Sequence, residues 1–315
     1  MAQICNVDIT TGILLIFIDL IVSVIISHIE QGPILDGNIT KRTKLFFGIV
    51  TTEGSWFKRQ MMFEIWINKT IQLGHDYVYC TKDKIEPKYR WTPLKNWTDV
   101  PFSPDADRKR KRLTMAEYFL KNTTADFFIN PTDDVFVDSS RINKLAYILG
   151  TQYNTNENDV VLGNCVLNCD KRKSSLQGGT GYIMTRKMAK KFVDFAAKWL
   201  QKTKVWDDYE FNDFLSSINQ SPKTVACPYM AGLGFNGLDR KFDFSSLTVC
   251  PEFHHKKCGT GILKFDEIYI VHANLKRVYP SLRTWNNFLR MLNDKDHHYA
   301  WYDSYRCSAI LCRLD

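Results

Sequence analysis

Apolar and polar positions fall in blocks along this chain, and the period changes from block to block. Leu45-Phe46-Phe47-Gly48-Ile49-Val50 is an unbroken apolar run closed by Thr51-Thr52, the pattern of a strand buried on both faces. From Trp56 to Leu73, Trp, Phe, Met and Ile recur at helical spacing, and Tyr77-Val78-Tyr79-Cys80 then predicts a second strand ending in Thr81-Lys82-Asp83. Residues Lys84 to Asp107, rich in Pro, Trp and Lys, predict an irregular excursion. A helix is expected over Arg112 to Lys121, followed by the apolar run Ala125 to Ile129, the acids Asp133-Asp134 and a second apolar run from Val135. Further helices are expected over Ser139 to Leu149 and Lys187 to Leu200, with a strand at Val160-Val161-Leu162 between them. Alternating strands and helices predict an α/β fold with a mostly parallel central sheet flanked by helices and joined by right-handed crossovers. In that arrangement the strand ends at Thr51, Thr81 and Asp133 converge on one edge.

The apolar block Gly12 to Ile29 stands apart. It is just long enough to span a bilayer, although Asp19 costs about 2.5–3.5 kcal/mol on insertion. No Lys or Arg precedes it, so the positive n-region usual in a secretory signal is missing, and Lys41, Arg42 and Lys44 follow it, which on charge alone favours the opposite orientation. A core helix is the plainer reading, and a signal-anchor or a cleaved signal is the expectation. The organisation expected is a tail over 1–11, a transmembrane signal-anchor over 12–29, a stem over 30–44 and a lumenal domain over 45–315.

Composition is that of an ordinary globular protein, with 44% hydrophobic and 24% charged residues. The net charge of +8 is partly local, because Arg108-Lys109-Arg110-Lys111-Arg112 contributes five positive charges. A basic patch can bind nucleic acid, but no zinc-finger, RNA-binding or basic-zipper pattern accompanies this one, so it reads as a solvated loop or a face for an anionic ligand. The nine cysteines divide into Cys5, before the apolar block, and eight after it (Cys80, Cys165, Cys169, Cys227, Cys250, Cys258, Cys307, Cys312), a set that fits four disulfides in an oxidising compartment. Zinc is the alternative, but the spacings lack a two-knuckle repeat. Glycosylation sequons at Asn38, Asn68, Asn96 and Asn122, with a poorer one at Asn219, point the same way.

Three motifs carry chemistry. The first is Thr132-Asp133-Asp134 after a buried strand. Acids at such a rim also serve turns and helix caps, but two adjacent carboxylates repel unless a cation joins them, and a hard divalent ion holding a diphosphate is the natural partner. The second is Gly178-Gly179-Thr180-Gly181-Tyr182, which fits neither a dinucleotide-binding fingerprint nor a phosphate loop. Its glycines permit a tight turn, or form a floor where a sugar lies against backbone. The third is Trp206-Asp207-Asp208 opening a helix, where acids are favoured by the helix dipole and where a carboxylate can serve as general base.

In this order and spacing the three motifs resemble the Fringe-like, core 1 galactosyltransferase-like β-1,3-glycosyltransferases, over roughly Lys44 to Leu292. Phe265-Asp266-Glu267-Ile268-Tyr269-Ile270-Val271-His272 resembles the late strand that brings a histidine to the metal in that family. The resemblance implies a GT-A fold and an inverting transfer from a UDP-sugar held through Mn²⁺. It implies Asp134 and His272 as metal ligands with Asp133 beside them, and Asp208 as the base with Asp207 next to it. Position in that fold also implies Thr51, Asp83 and Lys111 around the nucleotide, with Gly178, Gly179, Gly181, Tyr182 and Trp206 near the sugars. The chain departs from the family pattern at Thr132, where an acid is usual, at Thr180 for Ala and at Asn212 for Gly. His254 and His255 compete with His272 for the metal, and His272 is preferred because it ends an alternating apolar strand.

The expectation is a single-pass type II ER/Golgi enzyme that moves a hexose or N-acetylhexosamine to a glycan or glycoprotein. The sequence leaves open a homodimer. The alternatives are a catalytically inactive lumenal relative acting as a glycan-binding or chaperone protein, and a secreted glycan-binding protein that binds no nucleotide.

Overall fold

The computed structural model describes residues 42–95, 104–168, 173–176, 178–200, 207–218, 222–227, 230–232, 261–264, 268–272, 298–303 and 309–314. The apolar block at Gly12 to Ile29 lies outside these, and no described helix is long and apolar enough to cross a membrane.

Seven strands form the central sheet, in the order β10-β6-β9-β4-β1-β2-β3. They are β1 (Leu45–Val50), β2 (Asp76–Thr81), β3 (Trp91–Pro93), β4 (Phe127–Ile129), β6 (Val160–Gly163), β9 (Tyr182–Thr185) and β10 (Lys223–Ala226). Neighbours pair parallel except at β9, which runs antiparallel to both β4 and β6. A short buried apolar run does not declare its direction, so this reversal is invisible to hydropathy. The excursion expected over Lys84 to Asp107 is partly regular, since Trp91–Pro93 adds an edge strand and a helix starts at Pro104.

Successive side chains of β1 enter different layers. Leu45, Phe47 and Ile49 pack under Trp66 and Ile67 of the helical segment Trp56–Gln72 and under Leu145 and Leu149 of the helix Ile142–Gln152. Phe46 packs against Met115 and Phe119 of the helix Pro104–Asn122. Helices therefore cover both faces of the sheet, as a parallel sheet requires. The segment Trp56–Gln72 contains a π-helical turn at Phe63–Ile67. The helix expected over Lys187 to Leu200 is divided at Phe195 into Arg186–Asp194 and Ala196–Leu200.

A second sheet, β11 (Met230–Gly232), β13 (Ile270–His272) and β5 (Val135–Val137), positions the site. β13 is antiparallel to β5, with His272 opposite Val135. The remaining described strands form a hairpin, β7 (Cys165–Asn168) with β8 (Lys173–Leu176), and an antiparallel meander of β12 (Gly261–Lys264), β14 (His298–Asp303) and β15 (Ala309–Leu314).

Candidate functional site

The three strand ends converge as expected. Thr51 N–H donates to the Cys80 carbonyl (3.1 Å) and Val50 N–H to the Pro131 carbonyl (3.0 Å), while Thr51 Oγ1 donates to Asp133 Oδ2 (2.8 Å). The rim of β1, β2 and β4 is thereby one bonded unit carrying an acid pair.

Asp133 and Asp134 are both buried, and three elements surround them. Thr132 Oγ1 lies 2.6 Å from Asp134 Oδ1 and 2.9 Å from the Gly179 carbonyl, so its single proton serves one of the two at a time. His272 Nε2 is 3.1 Å from Asp134 Oδ1, a contact set by the register that places His272 opposite Val135. Trp66 Nε1 donates to the Val135 carbonyl (3.1 Å), fixing the chain immediately after the acid. From the helix that follows β1, Lys58 Nζ reaches Asp133 Oδ1 (3.5 Å) and Asp134 Oδ2 (3.9 Å). Burial pushes the Asp134 carboxyl up, but His272, Lys58 and the Thr132 hydroxyl outweigh it and hold the group well below the usual carboxylate range.

The chemistry of this donor set fits a divalent cation in part. Asp134 offers carboxylate oxygen, and His272 offers imidazole nitrogen, with its buried Nδ1 making no hydrogen bond. Among the described residues no three His, Cys, Asp or Glu side chains gather closely enough to hold a metal unaided. A cation here would complete its shell with oxygens from a ligand or water.

The glycine segment is held against this pair. Arg112 Nη1 donates to the Asn130 carbonyl (2.8 Å) and to Asn130 Oδ1 (2.9 Å), and Nη2 donates to the Gly178 carbonyl (2.8 Å). The guanidinium also lies 5.2 Å from the centre of the Tyr182 ring. Gly181 adopts φ +87°, and a Cβ there would come within 2.5 Å of the Asn130 carbonyl oxygen. Gly179 abuts His272 so closely that any side chain would enter the imidazole. The glycines are thus accounted for by packing against the acid strand and the histidine.

The basic run departs from a solvated loop. It is helical, and Lys109, Lys111 and Arg112 are buried. Lys109 lies 5.7 Å from the Trp199 ring centre, and Lys111 Nζ donates to the Thr51 carbonyl (2.8 Å). Burial pushes the Lys111 ammonium pKa down, opposed by Cys80 and by the carboxylates of Asp107, Asp133 and Asp83. Lys111 is therefore spent on the β1 rim, while Asp83 occupies an exposed bend after β2 within its electrostatic reach.

The helix Asp207–Ser217 begins at Asp207, so Asp207 and Asp208 occupy its first turn. Phe211, one turn further on, stacks on Tyr182 with centroids 4.1 Å apart. Trp206, His254 and His255 lie outside the described residues.

Two site residues carried no motif. Lys58 and Arg59 sit in the helix after β1. Arg59, fully buried, donates to the carbonyls of Thr52 and Glu53 (3.1 Å for the latter) and pairs with Glu86 Oε2 at 3.0 Å. Adjacent cations one turn after a strand ending in Thr-Thr were the available signal. Arg112 was hidden within the basic run. The cysteine expectation is corrected at Cys80, which is buried and forms no disulfide, so the eight do not close as four bridges.

No family model and no curated protein matches this chain. Solved structures with a similar course include a glycosyltransferase involved in glycosylation of the major capsid of PBCV-1, at 10% identity and TM-score 0.43, covering 61% of this chain and 85% of that one. Another is the galactosyltransferase LgtC in complex with donor and acceptor sugar analogs, at 9% identity and TM-score 0.42, covering 60% and 76%. A likeness this weak carries nothing about chemistry.

Proposed function

We infer that this chain is an inverting glycosyltransferase that moves a hexose or N-acetylhexosamine from a UDP-sugar to a hydroxyl of a glycan or glycoprotein, forming a β-1,3 linkage. The observation that carries the reading is the Asp134–His272 pair, 3.1 Å apart at the rim of a mostly parallel sheet, where open α/β folds bind ligands. Asp134 and His272 would hold Mn²⁺, with Asp133 beside them. The ion, when bound, neutralises charge developing on the UDP leaving group. Thr51 and Asp83 would border the uridine, with Lys111 fixing the Thr51 carbonyl. Gly178, Gly179 and Gly181 would bring bare backbone to the sugar, flanked by Tyr182 and Trp206.

Asp208 would act as the base, seconded by Asp207. It takes the acceptor hydroxyl proton as that oxygen bonds to the anomeric carbon and the bond to UDP breaks, inverting the centre in one displacement. We place the domain from residue 45 in the ER/Golgi lumen, behind a signal-anchor over 12–29 and a stem over 30–44.

A second reading, an inactive lumenal relative that binds glycans or acts as a chaperone, is favoured by Thr132 in place of an acid and by the small donor set among the described residues. A panel of UDP-sugars, with and without Mn²⁺, separates the two. Mn²⁺-dependent turnover of one donor that is lost in Asp208→Asn supports the transferase. Binding of UDP without turnover of any donor supports the inactive relative.

A further inference from the structure

We propose that Lys58 is a tethered counter-cation for Asp133 and Asp134, which competes with a divalent metal for the same carboxylates and weakens metal binding while no nucleotide is present. This rests on the reading of Asp134 and His272 as a cation site.

The ammonium of Lys58 lies 3.5 Å from Asp133 and 3.9 Å from Asp134, each contact to a different carboxylate. It is the only Lys or Arg among the described residues in ion-pair contact with either acid. The hydroxyls of Thr51 and Thr132 and the imidazole of His272 also face the acids, and the Lys111 ammonium acts on Asp133 from a longer range while bonded to the Thr51 carbonyl. Two buried neighbouring carboxylates need positive charge nearby, and Lys58 supplies the ion-pair contact to both from within the chain.

The backbone beneath Lys58 is braced, while its side chain is the most exposed of the three in these contacts. Arg59, the next residue, ties the turn to the Thr52 and Glu53 carbonyls and to Glu86. The Lys58 side chain keeps 22% of its exposure, against 12% and 9% for the two acids, so its four-carbon stem can carry the charge outward. A divalent ion bound to Asp134 would face an ammonium about 4 Å from its own ligand, a strong repulsion in a partly buried site. The Lys58 ammonium would therefore have to swing away for Asp134 to hold a divalent cation.

The test is a Mn²⁺ titration of the full chain without nucleotide, read by the electron paramagnetic resonance signal of free Mn²⁺. Lys58→Met is expected to bind Mn²⁺ roughly tenfold more tightly than the native chain. Lys58→Arg, which keeps the charge, should stay within about threefold of native, and Asp134→Asn should bind none. Lys58→Gln guards against a folding failure of the Met variant, with thermal melting as the control. If Asp134→Asn abolishes binding but neither neutral variant tightens it, the proposal is overturned and the cation site stands. If neither the native chain nor the neutral variants bind Mn²⁺, the cation-site reading fails and the proposal with it.

Discussion

Gly179 and His272 exclude a side chain between them: a Cβ built on Gly179 would lie 2.3 Å from His272 Cε1, 2.4 Å from Nδ1 and 2.7 Å from Nε2. The Gly179 carbonyl also accepts from Thr132 N–H at 3.3 Å, so the glycine is anchored to the acid strand while it makes room for the imidazole. One missing methyl group thus allows strand β13 to deliver a ring to Asp134.

Gly179→Ala is therefore expected to displace the imidazole rather than unfold the chain. Overpacking of this kind costs about 1–3 kcal/mol, and Mn²⁺ affinity should fall at least about tenfold as the Asp134 contact opens. Titration of Mn²⁺ beside thermal melting checks this; native affinity in the variant would contradict it.

Gly181→Ala meets a harder obstacle. The new Cβ would strike the Asn130 carbonyl, which is backbone, at a residue already at φ +87°. The left-handed conformation and the clash together predict a loss of about 2–4 kcal/mol in unfolding free energy by denaturant titration. The two glycine variants should separate, Gly179→Ala acting mainly on metal affinity and Gly181→Ala mainly on stability.

Arg112→Lys should destabilise by about 2–4 kcal/mol, because a single ammonium cannot reach the Asn130 and Gly178 carbonyls together and leaves a buried acceptor bare. Thermal unfolding reads this directly, and an unchanged melting point would show that Arg112 does not brace the glycine segment.

Cys80 gives a pH-dependent signature. Burial pushes its thiol up to about 12, opposed by the nearby Lys111. Below the ordinary thiol value of roughly 8.5 both folded and unfolded chains hold the proton, so the contribution is fully present. Above it the unfolded thiol ionises first, and stability is lost by about 1.4 kcal/mol per pH unit until the folded thiol also ionises near pH 12. A thiol reagent at pH 8 should accordingly leave Cys80 untouched in the native chain and modify it in denaturant. Rapid native labelling would show an open site.

Much of this arrangement was legible in the sequence, and particular residues show why the rest was not. Strand runs ending at Thr51, Thr81 and Asp133 announced their shared rim, because an apolar run stopping at polar residues reports both burial and its end. Choosing His272 by its alternating strand rested on the same logic. The antiparallel direction of β9 had no such marker, since hydropathy is the same read either way. The solvated-loop reading of the basic run failed because charge alone suggests solvent, whereas Lys111 and Arg112 are buried with carbonyl partners distant in sequence. Lys58 likewise gains its meaning only when the helix after β1 folds back over the acids.

The measurement that tests the central claim most directly is a calorimetric titration of the full chain with UDP, with and without Mn²⁺, beside His272→Ala. The account predicts UDP binding that depends on Mn²⁺ and weakens by roughly tenfold or more in the variant. Folded protein that binds no UDP under either condition, or binds it equally well without Mn²⁺ and without His272, would contradict it.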